Sequence, residues 1–104
     1  MDEFEVTFAP RAERDLYSIA LYIARQSSSE IAHRFGNQLI DRALTLASNA
    51  TRGRVVPELN DAHIREIIFR TYRIIYRIRG NRVEVIRFWH AARGAPAIDS
   101  DEFG

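Results

Sequence analysis

Four residues in the carboxyl-terminal half have the types and spacing for phosphate chemistry: Arg65, Arg73, His90 and Arg93. Arginine keeps its charge and presents a planar fork that matches a phosphate, and an imidazole exchanges protons near neutral pH. Two or more such cations beside His90 would bind a phosphodiester and assist proton transfer. Phe88, in the same stretch, offers a ring on which a base could stack. The competing reading is structural: the arginines pair with Glu66, Glu84 and the acidic tail on a solvated strand face. Spacing alone does not choose between the two.

Other chemistry is easier to set aside. The absence of cysteine excludes disulfides, thiolate metal sites and thiol nucleophiles. The three histidines, at 33, 63 and 90, never stand at i, i+4, and no H-E-x-x-H occurs. No glycine-rich phosphate cradle and no serine in a nucleophile elbow is present. The expectation is a protein with no metal and no cofactor.

The chain has 104 residues, enough for one domain with its own core, and we read 1–104 as a single domain. All fifteen basic residues are arginine, which GC-rich codon usage explains as readily as function does. The net charge is only +1, but it is unevenly spread. Residues 1–63 carry seven arginines against nine acids, and residues 64–93 carry eight against two. The tail, 94–104, adds three acids and no arginine. No apolar run approaches the ~18 residues of a membrane span, and the acidic, alternating start is unlike a signal peptide. A soluble, cytoplasmic protein without membrane partners is expected.

The elements that must position these residues follow from periodicity. Phe4, Val6 and Phe8 alternate with Glu3, Glu5 and Thr7, as in a half-buried strand. Pro10 suits the first turn of a helix, and Ala12, Leu16, Ile19 and Ile23 then form its apolar stripe. Ser27 and Glu30 have capping-box spacing, so a second helix should start near Ser28 and bury Ala32, Phe35, Leu39, Ala43 and Leu46. The short serine loop makes the two helices an antiparallel hairpin. Residues 48–57 read as a loop.

From Ile64 to His90 the chain reads as strands. Gly80-Asn81 is a two-residue hairpin turn, which sets Ile78 opposite Val83, Arg77 opposite Glu84, Tyr76 opposite Val85 and Ile75 opposite Ile86. In that register Arg73 faces Phe88. One face carries Tyr72, Ile74, Tyr76, Ile78, Val83, Val85 and Trp89, broken only by Arg87, and packs on the helices. The other, holding Arg73, Phe88 and His90, should be open and basic. The fold class is α+β: an amino-terminal strand and a helical hairpin packed on one face of an antiparallel sheet.

Each helix has a second apolar stripe. Tyr17, Leu21, Ile40 and Leu44 would form a groove for the apolar face of a partner helix, or else part of a broad helix–helix interface.

The pieces V-P-E-L (Val56 to Leu59), I-R-E (Ile64 to Glu66), Y-R-I-I-Y-R-I (Tyr72 to Ile78) and the closing H-x-x-R (His90, Arg93) stand in a telling order. Upstream, Ala12, Asp15, Leu16, Ile19 and Tyr22 spell A-x-x-D-L-x-x-I-x-x-Y. Together, from about Phe4 to Arg93, they resemble the RelE/ParE superfamily of bacterial toxins, the toxin halves of type II toxin–antitoxin pairs.

The resemblance implies a RelE-like fold and a toxin neutralised by a cognate antitoxin in a hetero-oligomer, with the second helical stripes as the antitoxin groove. It implies one of two targets: DNA gyrase, poisoned by ParE-like members, or mRNA on the translating ribosome, cut without a metal by RelE-like members. In a nuclease Arg73 would contact the scissile phosphate, with His90, Arg93 and Arg65 beside it. The chain departs from the nucleases in lacking lysine altogether and in having no tyrosine after Tyr76. Arginine does not lose its proton and makes a poor base. The ParE-like branch is therefore favoured, with a non-toxic RNA- or protein-binding module as a third reading.

Overall fold

Strand β1 (Glu5–Phe8) is separated by Ala9 alone from Pro10, the first residue of helix α1 (Pro10–Gln26). The computed structural model describes residues 3–98. Proline is tolerated at a first helical position, where its missing N–H would have no partner anyway. Helix α2 (Ser29–Leu44) starts after Ser28, whose side chain accepts the Ile31 N–H at 3.1 Å. The cap is thus Ser28, one residue later than the expected Ser27, and the Ser27–Glu30 capping box is not formed.

Residues 45–52, past α2, form two single turns of 3-10 helix and lead into strand β2 (Arg54–Val55). Two residues are too few to leave a periodic signal, which is why this strand reads as loop in the sequence. Strands β3 (Ile64–Phe69), β4 (Tyr72–Arg79) and β5 (Arg82–His90) then run as a meander. The sheet order is β1-β5-β4-β3-β2. Every neighbouring pair is antiparallel except β1 with β5, which is parallel, so the sheet is mixed.

The Gly80-Asn81 turn sets the expected register as far as Tyr76 opposite Val85. The next pair is Ile75 with Arg87, so Ile86 is the extra residue of a β-bulge. A one-residue slip exchanges the two faces. Beyond the bulge, Phe88 turns to the helices and Trp89 to the other side, and Arg73 lies opposite Trp89.

The main core lies between sheet and helices. Tyr72, Ile74, Tyr76, Val83, Val85 and Phe88 meet Ala12 and Ile19 of α1 and Leu39 and Ala43 of α2. At its lower end Tyr76 donates its hydroxyl to the Ala50 carbonyl at 2.6 Å and accepts the Gly53 N–H at 3.1 Å. A Cβ at residue 53 would collide with that hydroxyl and with the Glu66 carbonyl oxygen.

The second sheet face is not open and basic, contrary to the sequence expectation. Ile64, Ile75, Ile86 and Trp89 are buried there with Val56, and Leu59 and Ile98 pack over them. The chain on either side of the meander folds back over this face and makes a second, smaller core. Arg73 and Arg87 are buried too. Of the expected acidic tail, residues 99–104 lie outside the described residues.

Candidate functional site

A cleft of about 410 Å³ opens between α1 and the carboxyl end of β5. Asp15, Ser18, Ile19 and Tyr22 line one wall, at the i, i+3, i+4 and i+7 positions of one helix face. Tyr72, Phe88, His90 and Arg93 line the other. The bulge decides this composition, because it swings Phe88 and His90 onto the helix side.

His90 ends β5, and its Nδ1 accepts the Ala92 N–H at 3.1 Å. The neutral ring therefore carries its proton on Nε2. The imidazole stands edge-on to the Tyr72 ring, centroids 5.0 Å apart. Burial, helped by nearby Tyr22, raises the Tyr72 pKa, so this hydroxyl is a donor and no base at neutral pH. The Arg93 guanidinium lies 4.0 Å from the centroid of the Trp89 ring, a cation–π contact. Among the described residues Asp15 is the one carboxylate in the cleft lining, and its oxygens already accept from Arg87 and from the Phe88 N–H. The lining can donate hydrogen bonds and stack, but it holds no uncommitted carboxylate base.

Arg73 lies on the opposite sheet face. Its Nε donates to Glu66 at 2.6 Å, and its two terminal nitrogens donate to the two oxygens of Glu58 at 3.1 and 2.7 Å. Glu66, wholly buried, also accepts from Arg54 Nε at 2.6 Å. The hydrogen bonds from Arg73 hold the Glu58 carboxyl below its ordinary pKa, and the bonds to Glu58 and Glu66 push the arginine up despite burial. Arg65 is elsewhere again: it pairs with Tyr76 across the ladder and spends its guanidinium on the carbonyls of Ala62 and Gly53, both at 3.0 Å.

Of the four candidate catalytic residues, the structure brings together His90 and Arg93 and places Arg65 and Arg73 apart from them. The signal that the sequence offers for the clamp is the pair of glutamates upstream of Arg73, in V-P-E-L and I-R-E. Neither says in advance that both reach one guanidinium. Among the described residues no group of histidine, aspartate and glutamate side chains is arranged to hold a metal ion. No helix of the described residues is long and apolar enough to cross a membrane.

The helical stripe is exposed at three of its four positions: Tyr17 is 68%, Leu21 38% and Leu44 45% accessible, while Ile40 is half-buried.

Comparison with known proteins gives the following. The family described as the ParE toxin of the type II toxin–antitoxin system parDE matches residues 6–94. No curated protein sequence matches significantly. A chain from the chromosomal ParDE toxin–antitoxin system of P. aeruginosa superposes with a TM-score of 0.74 at 16% identity, over 85% of this chain and 96% of that one. One from the RelBE2 toxin–antitoxin complex of Mycobacterium tuberculosis does so with a TM-score of 0.65 at 22% identity, over 86% and 93%. Both share the arrangement of two helices against a mixed five-stranded sheet.

Proposed function

Because the chain belongs to the ParE toxin family of type II toxin–antitoxin systems, we propose that it arrests growth by poisoning DNA gyrase and is neutralised by a cognate antitoxin. The observation that carries the choice of target is the clamp on Arg73. A nuclease of this fold needs that guanidinium for the scissile phosphate. Here it is held by Glu58 and Glu66, on the face of the sheet away from His90. Releasing it would leave Glu66 buried with less compensation, which costs several kcal/mol. Protein–protein poisoning asks nothing of Arg73 beyond the fold.

Antitoxin binding is assigned to the outer helical surface around Tyr17, Leu21 and Leu44. Large apolar side chains at that exposure invite an amphipathic partner helix. The systems from which both structural relatives come are described as toxin–antitoxin systems.

One observation favours the second reading, ribosome-dependent mRNA cleavage: His90 and Arg93 do share a cleft with two tyrosines. The test is a gyrase supercoiling reaction titrated with the full chain. Lost supercoiling with trapped cleaved DNA, relieved by antitoxin, supports the gyrase reading. A folded sample with no effect on gyrase that cuts mRNA on translating ribosomes, in a manner lost in His90→Ala, overturns it.

A further inference from the structure

At the β2 edge of the sheet, away from the His90 cleft, a hollow of about 470 Å³ is lined by Arg42, Arg52 and Arg54 together with Ile67 and Ile68. We propose that this arginine cluster is a binding site for the phosphodiester backbone of a nucleic acid. Three forked cations come here from three different segments: the last turn of α2, the 3-10 turn after it, and β2. Clustered like charges are costly unless a counter-charge is supplied, and the described lining supplies little. The one carboxylate in the lining, Glu66, is bonded to Arg54 and already shared with Arg73. Among the described residues Arg42 and Arg52 form no ion pair.

The guanidinium groups are also held in place. Arg52 donates to the Thr45 hydroxyl at 2.6 Å, and Arg42 lies 4.8 Å from the centroid of the Phe69 ring. Arg70, just past β3, approaches the same ring at 5.5 Å. An arginine carries five N–H donors, so each of these groups keeps most of its donors for a ligand. Several forked donors around one hollow suit the phosphates of a polymer better than a single small anion. Among the described residues the outer edge of β3 past Glu66 carries no strand, which leaves the hollow open on that side. The chemistry named is the phosphodiester, whether DNA or RNA supplies it, and it does not depend on whether gyrase is the target.

The experiment measures binding of the full chain to a labelled DNA duplex and to a labelled RNA strand, over a series of salt concentrations and without gyrase or ribosomes. The Arg42→Gln/Arg52→Gln variant is expected to bind at least tenfold more weakly. Its plot of log affinity against log salt should be shallower by about two units, one for each phosphate that is no longer neutralised. Arg82→Gln, at the far end of the sheet and paired with Glu5, should bind as the parent does. Circular dichroism checks the fold, and if the double variant is unfolded, Arg42→Gln alone should flatten the slope by about one unit. The polymer bound more tightly names the source of the phosphodiester. Absence of binding to either polymer, an unchanged slope in the variant, or an equal loss from Arg82→Gln overturns the proposal.

Discussion

Asp15 receives the guanidinium of Arg87 on both carboxylate oxygens, at 2.8 and 3.0 Å, across 72 residues of sequence. The same carboxylate accepts the Phe88 N–H at 3.0 Å. Strand β1 pairs with β5 only as far as Val85, and the chain then turns into α1. Asp15 thus takes over the free edge of β5 where backbone pairing ends. It ties α1 to the sheet and sets one wall of the cleft against the other.

Removing that carboxylate takes from Arg87, whose side chain is almost fully buried, both hydrogen bonds of this ion pair. Asp15→Ala is expected to cost about 3–5 kcal/mol in urea unfolding. Asp15→Asn should recover part of this, because an amide oxygen can still accept the Phe88 N–H. Equal losses in the two variants would show that the edge hydrogen bond contributes nothing.

Gly53→Ala is expected to cost more than about 2 kcal/mol, since its Cβ would meet the Tyr76 hydroxyl and the Glu66 carbonyl oxygen, the latter at 2.7 Å. In the Tyr76→Phe background the added methyl has only the backbone oxygen and the ring edge to avoid. Thermal melts of the four proteins in this cycle should therefore show a smaller cost of the alanine there than in the parent.

The pH dependence of stability should contain a Glu58 component of defined sign. Its folded pKa lies below the ordinary value of 4.5 because Arg73 donates to the ionised form. Such a group adds stability above its unfolded pKa and loses it as pH falls through the folded one. Parent and Glu58→Gln should differ in denaturant midpoint at pH 7 and converge as the solution is acidified well below 4.5. A gap that persists in strong acid would exclude the ion pair as its source.

Charged substitutions at Tyr17 and Leu21 address the helical surface. Both side chains are exposed, so Tyr17→Glu and Leu21→Glu should change stability by no more than about 0.5 kcal/mol. Antitoxin affinity, followed by titration calorimetry, should fall at least tenfold. Loss of folding in both variants would place the stripe in the core instead. Ile40, half-buried, is the member of the set at which a charge should harm folding as well.

The sequence made the helical hairpin legible, because its stripes repeat over many turns and Pro10 marks a start. It also made the β4–β5 register legible near the turn, where Gly80 takes the positive φ that a tight hairpin requires. It misled beyond Ile86. No residue type announces a bulge, and that single extra residue moves Phe88 and His90 off the face that holds Arg73. Of the four candidate residues, His90 and Arg93 lie in one neighbourhood, Arg73 lies on the other side of the sheet, and Arg65 lies apart beside Tyr76. Pairing of the arginines with Glu66 is one of the sequence readings, but Glu58, the other arm of the clamp, was missed for a related reason. Glu58 sits in an irregular segment, and nothing periodic ties it to Arg73.

The parallel pairing of β1 with β5 imposes an order of events on synthesis. Residues 5–8 take their hydrogen-bonded neighbours from 82–85, so the first strand made can be seated only after the last one has emerged from the ribosome. Pairings this distant in sequence also slow folding. The sheet cannot be completed before residues 82–85 are available, and Asp15 cannot find Arg87 until β5 has been made. Until that point β1 has no partner strand, and the edge of the sheet that it will occupy is not yet built.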